Sequence, residues 1–230
     1  MLQVQDLAAC RGEATLFSGI SFSLSRGTAL VVSGPNGSGK TTLLRVLAGL
    51  TDAMQGTIAW RGAALHGFDP ALRAQALFIG HLPALKDELT AEENLASLTS
   101  LHGAQSGPAA LADALSVWAL SRQRALPARV LSQGQRRRLG LARLRLVTRA
   151  LWLLDEPATA LDDTGEAYLN QLIEVKCISI QRNPDRRRAG CRGANGRGEQ
   201  SRTEHRPLTA RRKPRVRCLD RARAKNQDAK

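Results

Sequence analysis

The residues best suited to chemistry lie in GPNGSGKT, residues 34–41, which fits G-x-x-x-x-G-K-[ST] between a short apolar run and a helical one. Gly34, Gly37 and Gly39, with Pro35, Asn36 and Ser38 between them, let the backbone curl so that successive N–H groups face phosphate oxygens. The helix that opens at Lys40, Thr41 and Thr42 adds the positive end of its dipole. In this pattern Lys40 reaches the β- and γ-phosphates and the Thr41 hydroxyl ligates Mg²⁺, so the expected ligands are a nucleotide and Mg²⁺. A plain Gly-rich turn is the bland alternative, and the strand before and helix after argue against it.

Two further stretches carry polar groups in suggestive positions. LWLLDE, residues 151–156, is an apolar strand that ends in two carboxylates. Alone, such a pair is a solvated strand end. Downstream of a phosphate loop it delivers Asp155 to Mg²⁺ and leaves Glu156, one residue on, to polarise an attacking water. In LSQGQ, residues 131–135, Ser132 and Gln135 have the spacing of a capping box at the start of a helix. A Ser hydroxyl and the Gly134 backbone at a helix N-terminus also suit a γ-phosphate. Arg136, Arg137 and Arg138 follow and read as a solvated helix face.

The elements that must position these groups alternate between two periods. LQVQDL (2–7) alternates like an exposed edge strand, and FSGISFSL (17–24) does so more cleanly. TALVVS (28–33) and ALWLL (150–154) read as buried strands, and 56–61 and 76–79 as further strands. Helices are expected over 91–101, 109–120, 132–147 and 165–175. This alternation is that of an α/β domain.

Charge divides the chain. Its formal net charge is +14, but residues 1–172 carry only +2 of it and residues 173–230 carry +12. Residues 181–230 hold fourteen arginines and only three Leu or Val, too few apolar groups to offset the entropy of ordering. The expected organisation is one folded domain over 1–172, with a helix-rich stretch at about 82–147, and a disordered basic tail over 173–230. Of four cysteines only Cys10 lies in the body, with no Cys/His ligand spacing. No apolar run reaches the length of a membrane span, and a reducing, cytoplasmic setting is the expectation.

The order GPNGSGKTT, LSQGQ, LLDEP, ALD resembles the ATP-binding subunits of ABC transporters. The resemblance implies a P-loop NTPase of the ABC ATPase type: a mixed-sheet core, an antiparallel β subdomain and a small helical subdomain. It implies a homodimer in which Leu131, Ser132, Gln133, Gly134 and Gln135 of one subunit close on ATP held by the other's phosphate loop. Gln133 stands where the common pattern has Gly. Ala160, Leu161 and Asp162 correspond to the D-loop. FIGHLPALKDELTAEENL (78–95) is similar to the cytochrome c biogenesis, or haem exporter, group, in which His81 replaces the usual Gln. His81, a surface-loop histidine by itself, then contacts a phosphate or a bound water. The implied partners are a second ATP-binding subunit, integral membrane transporter subunits and haem-handling proteins, with no specific nucleic acid. The implied location is the cytoplasmic face of the bacterial inner membrane.

The chain departs from that family in two places. Arg11 stands where an aromatic ring often stacks on adenine; a guanidinium can stack on a base, or be a plain surface arginine. After the D-loop the family has a helix and then a buried strand ending in a His that senses the γ-phosphate. Here CISI (177–180) is short, and the only later histidine, His205, sits in a polar stretch. Arg, Gly, Pro and Ala dominate G- and C-rich codons, so a reading-frame change within 170–180 is expected. An arginine-rich arm that binds nucleic acid is the alternative.

Overall fold

The computed structural model describes residues 1–65, 69–176, 179–181 and 214–220, with the backbone alone over 175–176, 179–181 and 215–220. The chain first builds an antiparallel sheet from β1 (Leu2–Arg11), β2 (Ala14–Leu24), β4 (Gln55–Trp60) and β5 (Ala63–Leu65), in the order β2-β1-β4-β5. The expected edge strand over 2–7 is therefore an interior one. Its alternation breaks at Asp6, whose φ of 47° marks a bulge where the pairing with β2 shifts register. Past the bulge β1 continues to Arg11, with Leu7, Ala8 and Ala9 all buried.

The second sheet runs β6 (Ala76–Ile79), β7 (Leu151–Leu154), β8 (Ser179–Gln181), β3 (Thr28–Ser33), β9 (Arg215–Asp220). The first four are parallel and β9 is antiparallel to β3. All four residues of β7 are buried because the sheet is covered on both faces. Leu151 and Leu153 pack with α1 (Lys40–Leu47) and the antiparallel layer. Trp152 and Leu154 pack instead with the helical layer of α3 (Ala91–Ser100), α4 (Pro108–Val117) and α5 (Gln133–Leu146). Each such side chain contributes roughly 1.5–3 kcal/mol on burial, enough to carry a carboxylate inward at the end of the strand.

The helical layer is pinned by side chains that satisfy backbone ends. Thr90 and Glu93 form a reciprocal capping box at the start of α3. The buried Asn94 amide donates to the carbonyls of Lys86, Leu89 and Thr90, while its oxygen accepts from Lys86 N. The loop 81–90 is thus held by its own following helix. Trp118 meets Tyr168 of α6 (Asp163–Lys176) edge-on, centroids 5.0 Å apart, which ties the helical layer to the sheet side.

Two short elements lay outside the sequence reading, β5 and α2 (Pro70–Gln75), where Asp69 caps a six-residue helix by accepting from Ala71 N. α6 covers the helix expected over 165–175 and runs to Lys176. The expectation of a disordered tail is modified at two places: Ser179–Gln181 pair with both β3 and β7, and Arg215–Asp220 pair with β3. Ser179–Gln181 thus fill the strand position that seemed to be missing. A strand with neighbours on both sides has both backbone edges paired, so three residues suffice. Val216 and Leu219, two of the three Leu or Val of residues 181–230, fall in β9. The remainder of that segment, with Cys191 and His205, lies outside the described residues, as does Cys177.

Candidate active site

Because β3, β6, β7 and β8 run parallel, their C-terminal ends lie along one edge of the sheet. Among the described residues, those that follow them are the phosphate loop, Gly80 and His81, and the Asp155–Glu156 pair. This edge is where an open α/β sheet binds its ligands.

Gly39 caps α1 in the left-handed region, with φ of 92°. A Cβ there would also stand 2.9 Å from the Phe17 ring and 3.1 Å from Leu16, so β2 covers the loop at van der Waals contact only with glycine in this position. Lys40 is buried, and its ammonium donates to the carbonyls of Gly34 at 2.9 Å and Pro35 at 3.1 Å. Ser38 Oγ is buried with no hydrogen-bond partner among the described residues, whereas Pro35, Asn36 and Gly37 are exposed at the loop tip. An orphan hydroxyl beside a cation held only by loop carbonyls is a cradle that fits an anionic phosphate group.

Thr41 and Asp155, 114 residues apart in sequence, meet through Thr41 Oγ1 donating to Asp155 Oδ1 at 3.2 Å. The Asp155 N–H donates to Ile79 O at 2.8 Å, extending the β6–β7 ladder by one residue and fixing where the side chain emerges. Asp155 is only 1% exposed. Burial pushes its carboxyl above the usual carboxylate range and Glu156 adds to this, opposed by the Thr41 hydroxyl, His81 and Arg137. A hydroxyl and a carboxylate are hard oxygen donors of the kind Mg²⁺ takes alongside phosphate oxygens. Among the described residues no group of three His, Cys, Asp or Glu could hold a metal by itself.

Glu156 has φ of 46°, a left-handed conformation costly for a residue with a Cβ, on the order of 1–3 kcal/mol. The turn aims its carboxylate away from that of Asp155 and towards His81, whose Nδ1 lies 3.6 Å from Glu156 Oε2. Their side chains are 24% and 56% exposed, so a water can reach the pair. Arg11 lies at the tip of the β1–β2 hairpin, exposed and opposite Ala14. The same hairpin touches the loop at Leu16 and Phe17.

Ser132 caps α5, accepting from Gln135 N at 3.2 Å, while Gln135 Oε1 accepts from Ser132 N at 2.9 Å. Leu131 is buried in the helical core, whereas Ser132 and Gln133 are exposed, open to another molecule. A Cβ on Gly134 would lie 2.9 Å from Ala160 O, so this segment and 160–162 are seated on one another. Asp162 caps α6 by accepting from Gly165 N at 3.0 Å. Its carboxyl is held below the usual range, first by Arg138 and then by that N–H.

The three arginines are not a solvated face. Arg136 donates to Asp87 at 2.6 Å and to Ala128 O at 2.8 Å. Arg138 pairs with Asp162 at 2.5 Å. Arg137, 3% exposed, donates to five backbone carbonyls: Gly80 and His81 through Nη1, Asp155 and Glu156 through Nη2, Pro157 through Nε. Three successive helical positions point about 100° apart, and the middle one points inward. Sequence reasoning missed this residue.

A cavity of about 410 Å³, lined by Ala48, Arg73, Leu101, His102 and Arg149 among others, opens at the other end of the strands, beside Ala76 at the start of β6. His102 there is pushed below the usual histidine range by burial, then by Arg143 and Arg149.

The family model of ABC transporters matches residues 17–159. A cytochrome c biogenesis ATP-binding export protein CcmA of Cupriavidus pinatubonensis is 44% identical over 174 residues, 76% of this chain and 77% of that one. The protein of the same name from Nitrosococcus oceani is 49% identical over 174 residues, 75% and 79% of the two chains. Among solved structures, a putative ABC transporter ATP-binding protein from Pyrococcus furiosus superposes with a TM-score of 0.68 at 24% identity, covering 79% of this chain and 96% of that one. An ATP-binding subunit of an ABC transporter gives the same TM-score at 25% identity, covering 80% of each chain. With the order of the phosphate loop, the capped α5 and the acidic strand end, these matches place the chain: it belongs to the ABC transporter family, in the group of cytochrome c biogenesis ATP-binding export proteins.

Proposed function

We propose that this chain is the ATP-hydrolysing subunit of an ABC transporter complex in cytochrome c biogenesis, where hydrolysis drives export or delivery of haem through membrane subunits. The observation that carries the ATPase reading is the 3.2 Å contact between Thr41 and Asp155, which joins the phosphate loop to the acidic strand end. Residues 34–42 bind the triphosphate, with Lys40 on its terminal phosphates in exchange for the Gly34 and Pro35 carbonyls. Thr41 and Asp155 would hold Mg²⁺, which when bound neutralises phosphate charge. Glu156 accepts the proton of the attacking water, and His81 lies beside it to orient that water or contact the phosphate. Arg11, exposed at the tip of the β1–β2 hairpin, stacks its guanidinium on the base.

Leu131–Gln135 and Ala160–Asp162 face the nucleotide of a second copy, which makes the working unit a homodimer. Among the described residues no helix is long and apolar enough to cross a membrane. Attachment at the cytoplasmic face of the inner membrane therefore runs through membrane partner subunits. Arg136, Arg137 and Arg138 are all engaged within the chain, while most of the arginine-rich segment on which a nucleic-acid reading would rest lies outside the described residues.

The test is complementation of a bacterium lacking its own subunit of this group, read by haem staining of c-type cytochromes beside ATPase assays of the purified protein. Restored staining that needs Lys40 supports the proposal. ATPase activity without restoration points to another small ABC exporter. Absence of ATP hydrolysis overturns the reading.

A further inference from the structure

The Arg137 guanidinium touches the backbone on both sides of the candidate water site. Nη1 holds the carbonyls of Gly80 and His81 at 2.9 and 3.0 Å, and Nη2 holds those of Asp155 and Glu156 at 2.9 and 2.7 Å. Nε reaches Pro157 O at 3.2 Å. All five N–H groups of a guanidinium can thereby be directed at fixed acceptors, in a fork whose angles an ammonium cannot reproduce.

We propose that Arg137 is a positioning residue for hydrolysis: its buried fork locks the ends of β6 and β7 together and so sets the place of Glu156 and His81. The proposal rests on the reading of Glu156 as the base. Three observations make the clamp more than a packing contact. First, Glu156 sits at a φ of 46°, a conformation that needs outside support, and its own carbonyl receives the shortest of the five bonds. Second, among the described residues the carboxylate and the imidazole show no bond beyond their 3.6 Å approach to each other, so their positions follow from the backbone. Third, Arg137 belongs to α5, the helix whose capped start is Ser132–Gln135. A helix is stiff, so force applied at that start by a second subunit reaches the base and the 81–90 loop through one side chain.

The charge has counterparts on every side. Asp155 and Glu156 favour the guanidinium, burial disfavours it, and Arg143, two turns along the same helix and also buried, repels it. The cation is therefore kept by the geometry of its acceptors.

The test compares Arg137→Lys and Arg137→Gln with Glu156→Gln, alone and combined, in the full-length protein. Lysine keeps the charge without the fork, and glutamine keeps a short planar donor without the charge. The expected result is a fall in kcat of about 30- to 100-fold, with KM and the MgADP Kd within threefold of wild type. In the Glu156→Gln background the same substitutions are expected to change residual turnover by less than threefold, because the group they position is gone. Equal loss in both backgrounds, or unchanged kcat in any folded variant, overturns the proposal. If neither variant melts cooperatively or binds MgADP, Arg137 is structural and the proposal is wrong. Should Glu156→Gln itself retain turnover, the reading of the base fails separately.

Discussion

Replacing Glu156 by Gln keeps the size and hydrogen-bonding reach of the side chain and removes only its ability to accept a proton. Its effect on the fold follows from its surroundings. The carboxylate is 24% exposed and has one close ionic neighbour, His81 at 3.6 Å, itself 56% exposed. Loss of so solvated a pair costs at most about 1 kcal/mol, and the strain at φ 46° is the same for Gln as for Glu. The groups assigned to nucleotide binding, Lys40, Ser38 and Thr41, touch Glu156 through none of their hydrogen bonds. Binding of MgATP is therefore expected to stay within about threefold of wild type. Turnover should fall by roughly 10²–10⁴-fold, the usual contribution of a general base, or about 3–5 kcal/mol of barrier. Phosphate release at saturating MgATP measures turnover, and calorimetric titration with a slowly hydrolysed analogue measures binding. Glu156→Asp, which keeps the charge but withdraws it by one methylene, should fall between the two. Turnover of Glu156→Gln within fivefold of wild type would refute the assignment, as would a large loss of binding.

Other perturbations probe the rest of the site. Lys40→Ala removes a buried ammonium and its bonds to Gly34 O and Pro35 O, and should weaken MgATP binding by about 100-fold, roughly 3 kcal/mol; calorimetry showing less than a fivefold change would count against the cradle. Asp155 has its folded pKa raised by burial, so it stabilises the fold fully only below about pH 3.9 and loses that contribution as pH rises through the folded value. Asp155→Asn should accordingly raise the melting temperature of the nucleotide-free protein at pH 7 while abolishing Mg²⁺-dependent turnover, and a lower melting temperature would contradict the burial argument. His102 has its folded pKa lowered, so its contribution is intact above about pH 6.5 and is lost as pH falls from there to the folded value. Chemical denaturation of His102→Gln between pH 5 and 7.5 should show a flatter pH dependence than wild type, and parallel curves would dismiss the effect.

The parts of the site that are readable in sequence are those whose geometry is local. Gly34–Thr42 form one continuous curl, and LWLL says that Asp155 and Glu156 stand at a strand end whatever the fold around them. Arg137 was not readable in this way, because its acceptors are backbone carbonyls on two other segments, and a carbonyl has no residue type. Helical spacing did not single it out either: every residue from Leu139 to Leu144 is buried, so Arg136 and Arg138 also stand three and four residues before buried positions. The break in β1 at Asp6 was hidden for a different reason, since a bulge is set by pairing with β2 and leaves no mark in alternation until it has occurred.

Sheet order, which no local pattern encodes, decides which of these groups meet. β6 and β7 are neighbours in parallel register, with Ile79 opposite Leu154, so the next residues on each, Gly80 and His81 against Asp155 and Glu156, must lie side by side. β3 is separated from β7 by β8 alone, which brings the start of α1 within reach of Asp155 and produces the Thr41 contact. The end of β8 therefore falls between the phosphate loop and the acidic pair. The family pattern puts a histidine at the end of that strand, and here β8 ends at Gln181 and is followed by Arg182. Among the described residues the imidazole beside Glu156 is that of His81, delivered by the strand on the other flank. The same carboxylate can be approached by a histidine from β6 or from β8 because both strands border β7. Among the described residues the β6 side supplies it, so on the proposed reading turnover should follow the distance between His81 and Glu156 and the Arg137 fork that sets it.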